Sequence, residues 1–326
     1  MVVGLGALGC SVVDVLARAG VGRLTLVDRD LVELTNLQRQ SLYSEADARG
    51  RLPKAEAARR RVAAVNSQVR VEGVIADLEP RTAEAIALDG PHGRPGVLID
   101  ATDNYETRFL INDLSVKHGI PLVYGGAIAT RGMSMTLRPP ETACLRCVFD
   151  PPEGGGGDTC DTVGVLGAVA TMIGAFQASE AIKILLGRAE RVSDSALSFD
   201  LWSMERTRLK LDDARDPACV CCVKREFEFL NALRAARVVA MCGQGAVQIR
   251  PASAGRGVDL AALAASLQNH GRFSHEQTCV RGRLSSERSD EGGTIELTVF
   301  SDGRAIVGGV TDPQRARAVY ARYVGG

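Results

Sequence analysis

A short glycine-rich segment near the start of the chain has the composition of a phosphate-binding loop. It spans Gly4–Gly9 and joins a predicted strand to a predicted helix. Glycines at this spacing let the backbone approach a phosphate at the helix N-terminus, where free N–H groups favour anions. Asp28 follows at the end of the next predicted strand, where a carboxylate can accept the hydroxyls of a ribose. The pattern predicts nucleotide binding without distinguishing NAD from ATP.

Two cations follow the loop. Arg39 lies in the segment Thr-Asn-Leu-Gln-Arg-Gln over 35–40, and Lys54 comes directly after Pro53 at the start of a predicted helix. A dinucleotide dehydrogenase needs no such cations at phosphates. A nucleotidyltransferase does, because negative charge moves onto the departing pyrophosphate. The alternative for Arg39 is an ordinary surface arginine.

An acidic segment, Asp100-Ala-Thr-Asp-Asn, ends a short buried strand. Ligands of open α/β sheets sit at the carboxyl ends of the strands. Asp103 is therefore a candidate for holding Mg²⁺, a hard cation that prefers oxygen ligands and phosphates. The alternative is that Asp103 and Asn104 cap the next helix, since Asp and Asn are favoured at helix starts.

Two pairs of cysteines have the spacing of zinc knuckles. Cys144 and Cys147 form one Cys-x-x-Cys pair, and Cys219 and Cys222 form another. Four thiolates suit a tetrahedral structural zinc, which would join a loop after one strand to the end of the first domain. The alternatives are two unrelated thiol pairs, one redox-active pair, or replacement of one ligand by the neighbouring Cys221.

The remaining cysteines divide into one candidate nucleophile and three candidate core residues. Cys160 follows a glycine run over 154–157 and precedes a long apolar helix. A thiol on a loop near a helix N-terminus can be unusually acidic and nucleophilic. The alternative is a small loop residue without chemistry. Cys10, Cys242 and Cys279 are predicted to lie in the core.

Alternating strands and helices must position these residues. Strands that alternate with helices of this length predict a parallel, doubly wound sheet, so the fold class is α/β. A small α+β unit follows, and we predict domains at 1–230 and 236–326. In the first domain the predicted strands are 1–3, 24–28, 69–75, 97–100, 121–129 and 133–138, with a late strand pair at 197–202 and 207–211. The predicted helices are 7–19, 54–66 and 105–118.

The composition excludes several classes of protein. The chain has 326 residues, of which 39 are basic and 39 acidic, and such a balance argues against a general binder of nucleic acid or acidic membranes. Nine cysteines are too few for a small disulfide scaffold and cannot all pair. We see no charged-then-apolar leader, and the uncharged stretch 163–179 is short of a membrane span. We therefore expect a cytoplasmic protein in which this stretch is a buried helix.

These motifs, in this order, resemble the ThiF/MoeB/HesA family, relatives of the ubiquitin-activating enzymes. The resemblance covers residues 1–225. It depends on the glycine loop, on the sequence LTLVDRDLVELTNLQRQ over 24–40, on the Pro53–Lys54 pair, on Ala-Thr-Asp-Asn over 101–104 and on both cysteine pairs. It implies a Rossmann-like, doubly wound and mostly parallel sheet.

The resemblance assigns ATP to the glycine loop and its surroundings. It implies that the Ala7 backbone lies near a phosphate, that Asp28 holds the ribose and that Asp103 positions Mg²⁺. Arg39 is implied to be the catalytic arginine, and Asp103 is a second catalytic residue. The implied ATP-binding residues are Gly4, Gly6, Ala7, Gly9, Asp28, Asn36, Arg39, Lys54, Asp103 and Asn104.

The resemblance also implies roles for five cysteines. Zn²⁺ would be bound by Cys144, Cys147, Cys219 and Cys222. Cys160 matches a crossover-loop cysteine that forms a covalent link with the carrier protein in some members and is dispensable in others. It is the third implied catalytic residue.

The family reaction activates a small ubiquitin-like sulfur carrier that ends in Gly-Gly. The terminal carboxylate attacks the α-phosphate of ATP, giving an acyl adenylate and pyrophosphate, and the acyl group then accepts sulfur as a thiocarboxylate. Segments 242–249, 300–305 and 312–323 resemble the C-terminal extension of the thiamine-pathway members. This favours a ThiS-like carrier in thiamine thiazole biosynthesis over a MoaD-like carrier in molybdenum cofactor biosynthesis.

Two functions of other classes stay open at this stage. The resemblance implies a homodimer. Relatives also carry a segment before the first strand, with an arginine that reaches ATP across the dimer. The sequence as given starts at the strand, so we expect that this segment is missing. Without that arginine, a non-catalytic scaffold that holds ATP and a carrier is one alternative. An NAD-dependent oxidoreductase is the other, and Arg39, Lys54 and the cysteine pairs argue against it.

Overall fold

The computed structural model describes residues 1–151, 164–231, 239–241, 246–249, 258–276, 278–290 and 292–324. The chain divides into two units, Met1–Leu233 and Arg234–Gly326. Each unit has its own sheet and its own hydrophobic core. Cys160, Cys242 and the glycine run over 154–157 lie outside the described residues.

A mixed sheet of eight strands forms the centre of the first unit. The strands are β1 (Val2–Val3), β2 (Arg23–Val27), β3 (Arg70–Val74), β4 (Leu98–Asp100), β5 (Leu122–Ile128), β6 (Arg131–Leu137), β7 (Ser195–Asp200) and β8 (Glu205–Lys210). They lie in the order β3-β2-β1-β4-β5-β6-β7-β8. Neighbours from β3 to β5 run parallel, as predicted for a doubly wound sheet, whereas β5 to β8 run antiparallel.

Alternation along the strands supplies apolar side chains to both faces of this sheet. Val2 belongs to one buried cluster and Val3 to another, and Leu26 and Val27 divide in the same way. Successive side chains of a strand point to opposite faces. A parallel sheet covered on both sides therefore needs continuous apolar strands, which is the pattern that β1 and β2 show.

Helices cover the sheet and place the site residues. They are α1 (Ala7–Arg18), α2 (Glu45–Arg49), α3 (Lys54–Val65), α4 (Ala83–Leu88), α5 (Tyr105–His118), α6 (Leu145–Val148) and α7 (Gly167–Leu185). The predictions for α1, α3 and α5 agree with the structure to within one residue at each end. Helices α2, α4 and α6 are too short to show a helical period in the sequence.

Helix α7 contains residues 167–179 of the apolar stretch 163–179 that was expected to be a buried helix. By length and composition alone it could cross a membrane, and 44 % of an 18-residue window is buried. Its buried face packs on α1, where a Cβ added at Gly174 would lie 2.6 Å from the Cβ of Ser11. The Gln177 amide donates to the carbonyls of Asp100 and Val123 at 2.7 and 3.2 Å. These contacts attach α7 to the sheet of the first unit.

The second unit is an antiparallel sheet with two helices. Its described elements are β9 (Val239–Met241), β10 (Ala246–Ile249), α8 (Leu260–Leu267), β11 (Gly271–His275), β12 (Cys279–Arg288), β13 (Thr294–Phe300), β14 (Ala305–Gly308) and α9 (Pro313–Tyr323). The strand order is β11-β12-β13-β14-β10-β9. The sequence pattern does not predict β12, because its second half is rich in serine and charged residues.

Candidate functional site

The glycine loop can adopt its path only with glycine at two positions. Gly4 has a φ of +87°, and a Cβ there would lie 2.7 Å from the carbonyl oxygen of Ala101. A Cβ at Gly9 would lie 2.0 Å from the carbonyl oxygen of Gly4. Gly6 stands at the start of α1 and offers no side-chain cap. The first N–H groups of α1 therefore remain available to an anion, as predicted for a phosphate-binding loop.

Asp28 lies directly after β2 and helps to build this loop. Its Oδ2 accepts the backbone N–H of Leu5 at 2.7 Å, and its Oδ1 accepts that of Asp30 at 2.7 Å. The hydroxyl of buried Tyr43 donates to the Leu5 carbonyl at 2.8 Å, so the Leu5 residue is held at both its N–H and its C=O. Burial raises the pKa of Asp28 above its usual value, while Lys54 acts to lower it. The sequence predicted Asp28 as a ribose ligand and gave no sign of Tyr43.

Lys54 begins α3 and is almost completely buried beside two acids. Its ammonium lies 3.0 Å from Oδ2 of Asp30, and the side chain is 7 % exposed. Burial by itself would lower the pKa of Lys54, but the charges of Asp30 and Asp28, with a smaller contribution from Asp103, outweigh it and raise the pKa. Lys54 is therefore charged at neutral pH. The same electrostatic coupling shows that these three acids share one environment with the lysine.

Asn36 and Arg39 belong to the turn that precedes α2. Asn36 is buried at the end of a 3₁₀ helix, where its side-chain oxygen accepts the N–H of Glu33 at 3.0 Å. The Arg39 guanidinium donates to the Thr35 carbonyl at 3.0 Å. Within the described residues, the Arg39 guanidinium makes no hydrogen bond or ion pair with Asp103. It is half-buried, and its backbone lies against Gly167 at the start of α7.

The acidic segment after β4 had two interpretations, a Mg²⁺ site and a helix cap, and in the structure they apply to different residues. Asn104 caps α5, since its side-chain oxygen accepts the N–H of Thr107 at 2.8 Å. Asp103 is exposed and accepts no hydrogen bond from the described residues. A free carboxylate near Lys54 is a suitable oxygen donor for Mg²⁺ bound to phosphates. The close approach of Ala101 to Gly4 brings this segment against the glycine loop.

A largely buried arginine, which no sequence motif singled out, holds the same segment. Arg108 lies on α5, and its guanidinium donates to the Thr102 carbonyl at 2.8 Å and to the Tyr124 hydroxyl at 3.3 Å. Asp100 accepts both the N–H and the hydroxyl of Thr102 on one oxygen. The only sequence signal was the spacing of Arg108 one helical turn after Asn104.

The four paired cysteines form one cluster. Their sulfur atoms all lie within 4.8 Å of one another, and three of the Sγ–Sγ distances are 3.8, 3.7 and 3.5 Å. Tetrahedral Zn–S bonds of about 2.3 Å place sulfurs about 3.8 Å apart, so the geometry fits a zinc ion. The cluster consists of Cys144, Cys147, Cys219 and Cys222.

Cys221 is not part of this cluster, which removes it as an alternative ligand. Its thiol donates to Oδ1 of Asp113 at 3.3 Å and accepts from the Asn112 amide at 3.3 Å. The other end of the Asn112 amide accepts the N–H of Leu145, next to Cys144. Cys221 therefore fastens the second knuckle to α5. Cys10 and Cys279 are buried, as predicted for core residues.

Together the fold and these residues define a class of protein. A glycine loop at an uncapped helix start, with Asp28, Lys54 and Asp103 at the carboxyl edge of a parallel half-sheet, is a nucleotide-binding arrangement. A four-thiol site is attached to the same domain.

Comparison with known proteins narrows the class to a family. The model of the ThiF family matches residues 1–221. Over 325 residues the chain is 37 % identical to a Bacillus subtilis protein named sulfur carrier protein ThiS adenylyltransferase, covering 100 % of this chain and 92 % of the relative. This chain belongs to the ThiF family.

Other relatives match the first unit. A Haloferax volcanii protein named SAMP-activating enzyme E1 is 38 % identical over 223 residues, covering 68 % of this chain and 79 % of the relative. The mouse protein named adenylyltransferase and sulfurtransferase MOCS3 is 42 % identical over 225 residues, and this match covers 47 % of that relative. The crystal structure of Escherichia coli MccB has a TM-score of 0.58 at 21 % identity, covering 69 % of this chain and 65 % of MccB, and is a likeness of fold.

Proposed function

We propose that this chain is an ATP-dependent adenylyltransferase that activates the C-terminal glycine carboxylate of a ThiS-like sulfur carrier for thiocarboxylate formation in thiamine thiazole biosynthesis. The observation that carries this proposal is the match to the Bacillus subtilis relative, which spans both units of the chain. The matches to the Haloferax and mouse relatives cover 68 % of the chain. The second unit thus supports the thiamine-pathway assignment.

The proposed reaction requires cations around the phosphates. A carboxylate oxygen of the carrier attacks the α-phosphorus of ATP, one P–O bond forms, the bond to the bridging oxygen breaks, and pyrophosphate leaves. Two anions approach each other and charge grows on the leaving group. Arg39 and Lys54 are the cationic side chains that we assign to opposing this repulsion, with Mg²⁺ held by Asp103.

The remaining site residues bind and orient the nucleotide in this proposal. The N–H groups of Gly6, Ala7 and Gly9 face the phosphates around the start of α1, an arrangement supported by the uncapped helix end. Gly4 shapes the loop beside them, since its own N–H donates to the Val27 carbonyl at 2.9 Å. Asp28 binds the ribose while it holds the loop through Leu5. Asn36 and Asn104 fix the backbone turns on either side of the nucleotide, since each accepts a local N–H with its side-chain oxygen.

The four-cysteine cluster is assigned a structural role. Zn²⁺ on Cys144, Cys147, Cys219 and Cys222 would join α6 to the segment that follows β8, and it takes no part in the proposed reaction.

Three further parts of the proposal go beyond adenylation. We assign Cys160 to the later sulfur-transfer stage. We also assign a homodimer as the functional assembly. The cytoplasm is the expected compartment, since free thiols persist under reducing conditions.

The test is carrier-dependent exchange of pyrophosphate with ATP. Purified protein is mixed with labelled pyrophosphate, ATP, Mg²⁺ and either a ThiS-like or a MoaD-like carrier. We expect exchange with the ThiS-like carrier and none with the same carrier lacking its last glycine. Arg39→Ala and Asp103→Ala should each reduce exchange to near background.

A matched control is Arg18→Ala. Arg18 ends α1, far along the helix from the glycine loop, and pairs with Asp14 on the surface. This variant should exchange like wild type. Exchange that does not depend on a carrier, or that survives both Arg39→Ala and Asp103→Ala, would contradict the proposed function. Exchange only with the MoaD-like carrier would reassign the substrate.

A further inference from the structure

Arg108 is largely buried, and one of its guanidinium nitrogens has no hydrogen-bond partner among the described residues. Its side chain is 13 % exposed, and its guanidinium carbon lies 5.6 Å from the ring centre of Tyr105 and 5.3 Å from that of Tyr124. Two of its nitrogens donate to the Thr102 carbonyl and the Tyr124 hydroxyl. Its Nε makes no hydrogen bond with any residue that the structure describes and lies 3.9 Å from Oδ2 of Asp100.

Asp100 is the charge that balances this arginine. It is completely buried, and among the described residues its Oδ2 also has no hydrogen-bond partner. Burial raises the pKa of Asp100, while Arg108 opposes the rise. A buried ion pair with unused hydrogen-bonding groups is a poor source of stability compared with an apolar pair. This pair therefore needs an explanation other than packing.

The pair encloses the residue that precedes Asp103. Asp100 accepts the N–H of Thr102 at 2.9 Å and its hydroxyl at 2.7 Å. Arg108 donates to the carbonyl of the same Thr102 at 2.8 Å. Both polar groups of the Thr102 backbone are thus fixed by side chains. The peptide that carries Asp103 begins at the carbonyl that Arg108 holds.

We propose that Arg108 is a positioning residue for Asp103. Arg108 acts through the Thr102 carbonyl and in this way sets the Mg²⁺-dependent part of ATP binding. The inference rests on the proposed function, since it takes Asp103 as the Mg²⁺ ligand. Residues that do not bind a metal but orient one of its ligands through hydrogen bonds typically change metal affinity by about 10- to 100-fold when they are replaced. Arg108 is placed to act in this way on Asp103, since it holds the backbone carbonyl immediately before the residue that carries the carboxylate.

The test measures ATP binding by calorimetry on the full chain, once with Mg²⁺ and once with EDTA. Arg108→Lys keeps the positive charge beside Asp100 but loses the forked donors. We expect ATP affinity in Mg²⁺ to fall about tenfold, with affinity in EDTA unchanged. Raising the Mg²⁺ concentration should restore the affinity of the variant. Tyr124→Phe, which removes one partner of the guanidinium and keeps the ring, should shift the Mg²⁺-dependent affinity in the same direction by less.

Arg18→Lys serves as the control and should leave both affinities unchanged. An equal fall of affinity in Mg²⁺ and in EDTA for Arg108→Lys would assign the arginine a general structural role and overturn the inference. No change in either condition for Arg108→Lys and Tyr124→Phe would overturn it as well. Wild-type protein that binds Mg–ATP but shows no carrier-dependent exchange would defeat the proposed function and leave this inference standing.

Discussion

Lys54 and Asp30 form an ion pair of 3.0 Å at the carboxyl edge of the sheet, where the lysine is almost completely buried. The family resemblance treats this lysine as a phosphate ligand. The structure adds that its charge is held by Asp30 first and by Asp28 second. A phosphate that contacts the ammonium must therefore share it with a carboxylate. Asp30 thus opposes the binding of an anion while it stabilises the buried lysine.

Asp30→Asn should separate these two effects. Removal of one partner of a largely buried ion pair weakens the fold, and we expect a loss of about 3 kcal/mol in the free energy of unfolding. ATP should nevertheless bind more tightly, because one negative charge beside the phosphates is gone. Urea denaturation and calorimetric titration with Mg–ATP measure the two quantities. Lys54→Met gives the comparison, and it should lower both.

Asp14→Asn is the matched control for stability. Asp14 pairs with Arg18 one turn apart on the surface of α1, so its loss should change stability by less than about 1 kcal/mol. Weaker ATP binding by Asp30→Asn, comparable with that of Lys54→Met, would mean that Asp30 orients the lysine for the phosphate and does not compete with it.

Gly9→Ala should disrupt the glycine loop. The added Cβ would lie 2.0 Å from the Gly4 carbonyl oxygen, which is backbone and cannot rotate away. We expect the free energy of unfolding to fall by about 3 kcal/mol and ATP binding to be lost, because the loop must move to admit the methyl group. Gly22→Ala is the control, since nothing lies within 4 Å of its Cβ. Wild-type ATP affinity in Gly9→Ala would exclude this loop as the phosphate site.

Asp28 should give ATP binding and stability opposite dependences on pH. Burial raises the pKa of Asp28 in the folded state, so its protonated form is favoured by folding. The stability contributed by that proton is present below the unfolded-state pKa of about 4 and is lost as the pH rises through the folded-state pKa. Ribose binding needs the ionised carboxylate, so ATP affinity should rise over the same interval.

The variant Asp28→Asn tests both pH dependences, because the difference between wild type and variant gives the contribution of Asp28 to stability and to ATP affinity. The variant should bind ATP more weakly than wild type at neutral pH, and its affinity should no longer vary with pH in the acidic range. Calorimetry and denaturation at several acidic pH values supply the comparison. Equal slopes in wild type and variant would show that Asp28 stays ionised throughout and that other groups control the profile.

The parts of the fold with a local pattern could be predicted from the sequence. Helix α5 begins at an asparagine cap and ends before Gly119 with a φ of +60°, and both ends were predicted. The antiparallel half of the sheet could not be predicted as such, because pairing direction depends on where the chain returns. Strand β8 was predicted at 207–211 as half of a late pair, and the structure has it at Glu205–Lys210 beside β7. It is exposed along its whole length, so no apolar alternation indicated its place at the edge of the sheet.

Several residues of the site could be predicted from the sequence, but the contacts that these residues make could not. Asp28, Lys54 and Asp103 could be proposed from spacing and resemblance, and the structure brings them into one environment. Asp30 could not be recognised as the partner of Lys54, since 24 residues separate them and only the packing of α3 beside β2 brings them together. Arg108 was missed for the same reason, because it lies on α5 and its partner Tyr124 comes from β5.

The cysteine cluster yields the last prediction, which concerns zinc. Hydrogen bonding with the Cys144 thiol and then burial raise the pKa of Cys147 to about 12, and burial followed by the Cys147 and Cys219 thiols raises that of Cys222 to about 12. A metal must therefore displace protons from the cluster, so zinc should be released as the pH is lowered.

Metal analysis of the purified protein should find about one zinc ion per chain. Cys219→Ser should lose the zinc and melt at a lower temperature, whereas Cys221→Ser, which contacts Asn112 and Asp113 and lies outside the cluster, should keep it. Zinc loss in Cys221→Ser with retention in Cys219→Ser would reverse the assignment of the ligands, and a folded, metal-free wild-type protein would refute the site.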